Sequence, residues 1–571
     1  MLVPLRDTMP FQDSWVFVRQ YNDFCEGRYS WMEFFHPHNA HPSAVGKAIY
    51  FAVLHWAGGD VALLPLFTWT FSMVIALGVL RLSRPLWQGS RWRGVGLMFL
   101  ANLAIFSAAA GHAWIWDFVF QNALPGMFLV LGLVVLRTGW SLAVRFILAL
   151  LAAVMATFSF GSGFFVGLLL IPSVWHAAVS MRMKSRVILT AGWTLAVLGT
   201  AWLALSYLSS PAAVPDTADA RLSHLWGNLA MTGQYLLLLL GLPLGQGTVM
   251  EPGTLCALIG AALLVVAGAA VWKLARERSM SRWWEALPWL TLIGWGALNT
   301  VLICYGRMAY TLNTAIAPRY VTFVLFFLVG VVMLAAVAWR TDEGVSTRIM
   351  AWWRTLLPAL VALLVGAHVT AWVAGHHHML NESVRMRQEK AAFSVAPVIA
   401  PLDDQIWWYL ENGDSLRWAQ SLHSRDRLRK VTFATSADVS SFRVSPTALT
   451  ERWASWSLLQ AQGEAGWLAK GTCGLSKDIL SMPDLILLSA QPEGGAESFF
   501  AYAKAVLPEN FLEREILRRV HHKHYFGWER KIRPEELPQG SRITLRAYAF
   551  DAEARRVRPL EGTCTTVQAA R

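Results

Sequence analysis

Charged side chains are scarce in this chain: Asp, Glu, Lys and Arg together make up 15% of its 571 residues, whereas hydrophobic residues make up 55%. Soluble globular domains carry about 25% charged residues, so a string of soluble domains is excluded. Stretches such as residues 61–80 and 321–340 are apolar and almost free of charge, over the length of roughly 20 residues that a helix needs to cross a bilayer. The composition predicts a polytopic membrane protein.

Cysteines are also few. The five cysteines are scattered and show no spacing typical of a metal site, and the N-terminus has no pattern of a cleavable signal peptide. The net charge of +12 does not indicate nucleic acid as a partner, because Lys and Arg in such a protein report topology first.

Hydropathy predicts ten spans, at about 61–80, 95–111, 123–136, 142–158, 163–180, 187–208, 254–272, 286–304, 320–339 and 352–374. One set of connecting segments is basic, at 81–94, 137–145, 181–186, 273–282 and 340–348, and the other set is nearly free of Lys and Arg, at 112–122, 209–225 and 306–320. Because short cytoplasmic loops collect Lys and Arg, the basic set is expected in the cytoplasm.

This orientation puts residues 1–60 and residues 375–571 outside the cytoplasm. Counting 225–245 as a span would break the alternation, so we interpret it as a re-entrant or interfacial helix on the outer face. We also expect a membrane span upstream of the first residue, because the outer segment 1–60 needs one to be translocated.

The predicted fold class is mainly α, a helical membrane bundle over 61–374 followed by an extracytoplasmic α/β or β-rich domain over 375–571. Strand-like pieces at 429–436, 484–490 and 541–551 support that second domain.

Acidic, histidine and arginine residues gather in the outer segments. Arg307 and Arg319 lie near span ends, where an arginine is costly unless it snorkels or meets an anion such as a lipid phosphate. A carboxylate nearby would act as a general base on an acceptor hydroxyl. These residue types together suit an enzyme that takes a phosphate-bearing lipid from the outer leaflet.

Each of these features has a structural interpretation as well. Asp13 is equally suited to capping a helix, and the two arginines to anchoring span ends at the lipid interface. The stretch HPHNAHP at 36–42 is either a metal site or a rigid polar elbow, and its prolines favour the elbow. The histidines of GHHHML at 375–380 are interpreted as an interfacial collar.

With these segments in place, the chain resembles the bacterial multi-spanning proteins of GT-C glycosyltransferase architecture. In that group an outer loop runs from an acidic D-D-W-like stretch to H-N-E-H-R. The corresponding pieces here are QDSWVF at 12–17, HNAHP at 38–42, WDFVFQN at 116–122, FSFGSG at 158–163, the Leu-Gly pattern at 235–245 and the pair Gly306-Arg307 with Arg319-Tyr320. Each motif is weak by itself, but their order and their side of the membrane agree.

The resemblance implies transfer of a sugar from a polyprenyl-phosphate carrier to a glycan, lipid or protein of the cell envelope, at the periplasmic face of the bacterial inner membrane. It implies Asp13 as the catalytic base. Asp13 or Glu33 would take the part of the group's Glu, whose place is occupied here by Ala40. The substrate-binding candidates are His38, Asn39, His41, Asp117, Gln121, Arg307, Arg319 and Tyr320. No metal ligand and no definite cofactor is implied, although a divalent cation is compatible with the pattern.

One departure from the group stands out, because Ala40 and Pro42 occupy the places of its Glu and Arg.

The residues leave two other functions open. A glycolipid transporter or flippase would call for polar residues at mid-membrane and internal repeats, and neither pattern is present. A glycan polymerase or ligase would also use outer-face arginines and lipid-linked sugars.

Overall fold

The computed structural model describes most of the chain, namely residues 9–10, 13–38, 41–87, 91–208, 223, 225–246, 252–308, 312–340, 347–399, 414–429, 443–444, 455–460, 467–473, 483–506, 526–539, 542–552, 556–562 and 564–567. The chain is mostly helical, with a small region of β-sheet towards its C-terminus. This agrees with a helical bundle followed by a domain that contains strands.

The helices of the described part are α1 (Ser14–Cys25), α2 (Ala44–Trp56), α3 (Leu64–Ser83), α4 (Arg91–Ile105), α5 (Gly111–Ile115), α6 (Ala123–Leu136), α7 (Leu142–Thr157), α8 (Phe164–Leu169), α9 (Ile171–Ala177), α10 (Met183–Leu208), α11 (Leu229–Gly245), α12 (Pro252–Glu277), α13 (Met280–Arg307), α14 (Val321–Ala338), α15 (Thr347–Val395) and α16 (Asp414–Ser424). Short 3₁₀ helices join some of them, among these Trp31–Phe35, Ala108–Ala110, Val119–Asn122, Leu312–Ile316 and Pro318–Tyr320.

Within the described residues, seven helical stretches are long and apolar enough to cross a membrane: Val61–Trp87, Arg91–Ile115, Val119–Leu136, Met183–Tyr207, Gly253–Glu277, Met280–Arg307 and Pro318–Ala338. Each of them contains one of the ten predicted spans almost completely. A membrane protein is therefore indicated by the helices as well as by the composition.

The other three predicted spans have a different form. The span predicted at 142–158 is the 16-residue helix α7, and the span at 163–180 divides into α8 and α9, which together cover Phe164–Ala177. The span predicted at 352–374 lies inside the long helix α15. The ten-span count stays a prediction, because two of these pieces are shorter than a perpendicular crossing requires.

Helix α11 corresponds to the segment that we interpret as re-entrant or interfacial. It packs along α12, and the Tyr235 hydroxyl lies 2.9 Å from the Thr314 hydroxyl, beyond the C-terminal end of α13. The Thr232 hydroxyl lies 3.2 Å from the sulfur of Met308 at the same end. These contacts place the first half of α11 beside Met308 and Thr314. Both belong to a segment that is predicted to lie on the outer face, the face also predicted for α11.

The basic connecting segments lie at the opposite end, where Arg282 of one segment donates to the Arg340 carbonyl of another at 3.3 Å. The Arg93 guanidinium donates to the Ala336 carbonyl at 2.8 Å, and Arg340 pairs with Glu285 at 2.9 Å. Arg186 donates to the Trp175 carbonyl at 2.8 Å. The two sets of loops that differ in charge are thus also separated in space.

The C-terminal domain contains nine described strands: β1 (Arg443–Val444), β2 (Ser455–Gln460), β3 (Trp467–Cys473), β4 (Leu485–Pro492), β5 (Ser498–Ala503), β6 (Phe526–Ile532), β7 (Arg542–Asp551), β8 (Arg556–Pro559) and β9 (Cys564–Val567). One sheet has the order β1-β8-β7-β4-β5, with β9 also paired to β7, and a second has the order β2-β3-β6. The strands predicted at 484–490 and 541–551 are confirmed as β4 and β7. The strand predicted at 429–436 lies almost wholly outside the described residues.

The C-terminal domain packs against the segment that precedes the bundle. The Trp15 ring of α1 stacks on Phe393 of α15 with centroids 5.0 Å apart, and the Arg19 guanidinium lies 5.8 Å from the centroid of the Trp418 ring in α16. Next to α2, the backbone amide of Arg429 donates to the Gly58 carbonyl at 3.1 Å. Gly59 has a φ of +76°, and an added Cβ there would collide with the Arg427 carbonyl, so only glycine fits this turn.

The two ends of the bundle predict different accessibility to reagents. In a chain without its native cysteines, Trp31→Cys and Trp140→Cys would place thiols at exposed positions of the two ends, since their side chains are 69% and 54% exposed. We expect a membrane-impermeant maleimide added to intact cells to label Cys at 31 and to spare Cys at 140. Permeabilised cells are the control, in which both should be labelled; equal labelling in intact cells would contradict the orientation.

Candidate functional site

Asp13 stands at the N-terminus of α1, the place where a capping residue is expected. Its side chain accepts no capping hydrogen bond within the described residues. The carboxyl is partly buried, and burial raises its pKa above the usual aspartate value, while the positive charges of Arg319 and Arg307 act to lower it. The capping interpretation is therefore not supported, and the carboxylate lies within electrostatic range of the two arginines.

The two arginines come from the segment between α13 and α14. Arg307 is the last residue of α13, and Arg319 lies in the 3₁₀ helix Pro318–Tyr320, directly before α14. The Arg319 guanidinium lies 5.2 Å from the centroid of the neighbouring Tyr320 ring. Both therefore stand at span ends, as predicted, and both interact electrostatically with Asp13.

Asp117 has a structural position. Its carboxylate is buried and accepts hydrogen bonds from the Ser14 hydroxyl at 2.8 Å and from the Tyr50 hydroxyl at 2.9 Å. Burial, and next the Asp117 charge, raise the pKa of Tyr50 well above its usual value, so that the phenol remains a donor. This carboxylate joins the start of α1 to α2, and we assign it to holding the neighbouring Asp13 in place.

The HPHNAHP stretch forms a tight elbow. The backbone groups of His38 and His41 bond to each other in both directions, at 2.9 and 2.8 Å. The His41 ring stacks on Phe160 with centroids 4.3 Å apart, and the Phe158 carbonyl accepts from the Val45 amide at 3.1 Å. The elbow interpretation agrees with this geometry, and the FSFGSG turn packs against it. Asn39 and Ala40, between the two histidines, lie outside the described residues.

The elbow histidines are uncharged at neutral pH. Burial lowers the pKa of His38 to about 4, aided by the charges of Lys47 and Arg19. Burial likewise lowers the pKa of His41 to about 4, aided by His38 and Arg307. Neutral imidazoles add no positive charge at the site, so compensation of a phosphate would come from the arginines.

Three of the predicted binding residues carry a buried polar atom that has no hydrogen-bond partner in the described part of the chain: Nδ1 of His41, Oε1 of Gln121 and the hydroxyl of Tyr320. Buried polar groups in native proteins are almost always bonded, so an unpaired one calls for a reason such as a bound ligand or water. These atoms come from three different segments that sequence motifs alone had grouped together.

Glu33 has a local role. Its carboxylate accepts a hydrogen bond from the Ser30 amide at 2.6 Å, and the Ser30 hydroxyl accepts from the Met32 amide at 3.2 Å. This is a capping arrangement at the start of the Trp31–Phe35 helix. It explains the presence of Glu33 structurally, so Asp13 is the better candidate for the base.

Lys47 is a residue of the site region that sequence reasoning missed. Its side chain is fully buried, and the ammonium donates to the carbonyls of His36 at 2.7 Å and Glu33 at 3.1 Å. Burial lowers its pKa to about 8. Its spacing from Tyr50, Phe51 and Leu54 puts a lysine on the apolar stripe of α2, which was the available signal.

No protein-family model, curated protein sequence or solved structure matches this chain. The candidate site therefore depends on the motifs and on the contacts described above.

The Lys47 contacts predict a large effect from a small change. Lys47→Met keeps the length of the side chain but leaves the carbonyls of residues 33 and 36 without their buried donor. We expect the free energy of unfolding to fall by about 1–3 kcal/mol, seen as a lower melting temperature in detergent. Lys273→Met is the matched control, because Lys273 forms only a partly exposed pair with Glu277 at 3.7 Å. Equal effects of both changes would show that Lys47 does not support the elbow.

Proposed function

We propose that the chain is a membrane glycosyltransferase that moves a sugar from a polyprenyl-phosphate carrier to a glycan, lipid or protein of the cell envelope, at the periplasmic face. The observation that carries this proposal is the partly buried Asp13 carboxylate, which is not used as a helix cap and which interacts with Arg307 and Arg319. The family resemblance of the motifs supports it in addition.

A base that interacts electrostatically with two cations suits displacement at a sugar carbon. The Asp13 carboxylate takes the proton of the acceptor hydroxyl as the acceptor oxygen bonds to the anomeric carbon. The bond from that carbon to the carrier's phosphate oxygen breaks, and polyprenyl phosphate leaves with the electron pair. Arg307 and Arg319 compensate the negative charge that develops on the phosphate. The proton then passes from Asp13 to solvent.

The histidines and the orphaned polar atoms support binding of the sugar. The buried Nδ1 of His41, Oε1 of Gln121 and hydroxyl of Tyr320 offer neutral hydrogen-bonding groups, which is what sugar hydroxyls need.

A glycan polymerase or ligase would use the same groups. Analysis of the product separates the two functions, because a polymerase or ligase extends a chain whereas a transferase adds one residue.

The base assignment predicts loss of transfer in Asp13→Asn, since the amide has nearly the same shape and does not accept the proton. We expect the envelope glycan or glycoprotein of the complemented deletion strain to lack one sugar, as in the deletion itself, when it is compared with the parent by mass spectrometry. The loss of rate should be at least about 100-fold.

The control for that experiment is Asp23→Asn. Asp23 lies in the same helix and pairs with Arg28 at 2.6 Å on the surface, so its variant should retain transfer. Membrane levels of all variants are compared by immunoblot. Normal glycan in Asp13→Asn cells would refute the base assignment, and identical glycans in the deletion and the parent would refute sugar transfer.

The electrostatic influence of Arg319 on Asp13 predicts a pH effect of definite sign. Asp13 acts as a base only when ionised, so transfer should fall as pH falls through its raised pKa. Arg319→Gln removes a charge that lowers this pKa, and the acid limb of the profile should move to higher pH. Arg28→Gln is the control and should leave the limb in place. The measurement uses purified protein in liposomes that contain the polyprenyl lipid extract of the deletion strain; a shift to lower pH would contradict the assignment.

A further inference from the structure

A second cluster of chemically capable side chains lies where α5 meets α15. His112 belongs to α5, at the end of the candidate span Arg91–Ile115. His378 and Glu382 lie on α15 four residues apart, so they share one helix face. The interpretation of the GHHHML histidines as an interfacial collar stays a prediction; the His378 ring in addition contacts His112, with ring centroids 4.6 Å apart.

Two glycines allow this contact. An added Cβ at Gly111 would lie 3.1 Å from the Met379 side chain, and one at Gly375 would collide with the Ala108 carbonyl. The backbone of 108–111 and that of α15 therefore approach more closely than larger residues permit. This approach brings imidazoles that are far apart in sequence within reach of each other.

The ligand geometry is that of a cation site. The Nε2 atoms of His112 and His378 lie 2.8 Å apart, and the ligand atoms of His112, His378 and Glu382 all lie within 4.8 Å of one another. We propose that these three side chains bind a divalent transition-metal ion, with zinc as the best fit. Two imidazoles and a carboxylate are one of the ligand sets that hold zinc at sites with an open position.

A direct hydrogen bond between two neutral imidazoles is the competing explanation of the 2.8 Å distance. Such a bond requires one of the two Nε2 atoms to carry a proton, and it does not involve the Glu382 carboxylate. Two imidazole nitrogens on a tetrahedral zinc ion lie roughly 3.4 Å apart, so the rings need to separate by only about half an ångström. The Nδ1 of His112 is buried and has no hydrogen-bond partner within the described residues. No contact of Nδ1 therefore determines which of the two ring nitrogens of His112 carries the proton.

The ligand set, two imidazoles and one carboxylate, indicates the kind of metal. Glu382 is paired only weakly, at 3.9 Å from the Arg385 guanidinium, which approaches Glu389 more closely, at 3.3 Å. Arg319 and Arg385 are near enough to His112 to interact with it electrostatically. These positive charges oppose a cation, and magnesium or calcium would need several more oxygen ligands. Zinc binds imidazole strongly enough to be the expected ion.

The site is electrostatically linked to the Asp13 region, since Arg319 interacts with both Asp13 and His112. Three protein ligands leave one position of a tetrahedral ion open to water or to an anionic oxygen. Metal binding is measured without turnover, so this inference does not depend on the proposed function, and each is tested separately.

The test uses the full chain purified in detergent, stripped with a chelator, equilibrated with zinc chloride and dialysed. We expect about one zinc ion per chain by mass spectrometry of the metal, and near-background zinc in His378→Gln and Glu382→Gln. His376→Gln is the matched control from the same histidine run. His376 stacks on Trp372 instead, so that variant should retain zinc.

A further variant separates loss of a ligand from loss of packing. His378→Cys supplies a thiolate and should retain zinc, and its cobalt derivative should show a sulfur-to-metal absorption band that the parent lacks. The proposal is overturned if the parent chain holds no zinc after equilibration, if His378→Gln retains full zinc, or if His378→Cys loses it like His378→Gln.

Discussion

The buried carboxylate of Asp117 is the interaction on which the candidate site depends. It accepts from the Ser14 and Tyr50 hydroxyls and so ties the start of α1 and the middle of α2 to the segment before α6. Two donors satisfy a charge that would otherwise be expensive to bury. Because Ser14 follows Asp13 directly, this anchor also determines where the Asp13 carboxylate lies, which is within electrostatic range of Arg307 and Arg319.

Two further contacts hold the same segment from other directions. Lys47 binds the carbonyls that precede the histidine elbow, and the turn at Gly58 and Gly59 bonds to the C-terminal domain through Arg429. The domain that follows the bundle therefore steadies the segment that precedes it. Around this frame the elbow histidines are neutral and the two arginines carry the charge, a division of roles that supports the proposed substrate with its phosphate and sugar.

Features that depend on neighbouring residues in the sequence could be predicted, whereas contacts between distant segments could not. Span positions follow from local hydropathy, and seven predicted spans coincide with long apolar helices. The strands β4 and β7 were predicted from local patterns as well. The capping role of Glu33 is also local, yet the S-x-x-E signal was overlooked. The contact of His112 with His378 depends on partners far apart in sequence, and no local pattern predicts it. Lys47 was missed although its place on the apolar stripe of α2 is a local signal; the carbonyls that it binds come from the preceding segment.

The amino-acid sequence by itself determined the class of the molecule, because apolar length and the placement of Lys and Arg are sums over neighbouring residues. The same charge pattern predicted that Asp13, Arg307 and Arg319 lie on one side of the bundle. Only the tertiary structure decided that Asp117 is an anchor, that the elbow histidines are neutral and that His378 faces His112. Those outcomes depend on burial and on contacts between distant segments, which arise only when the helices pack.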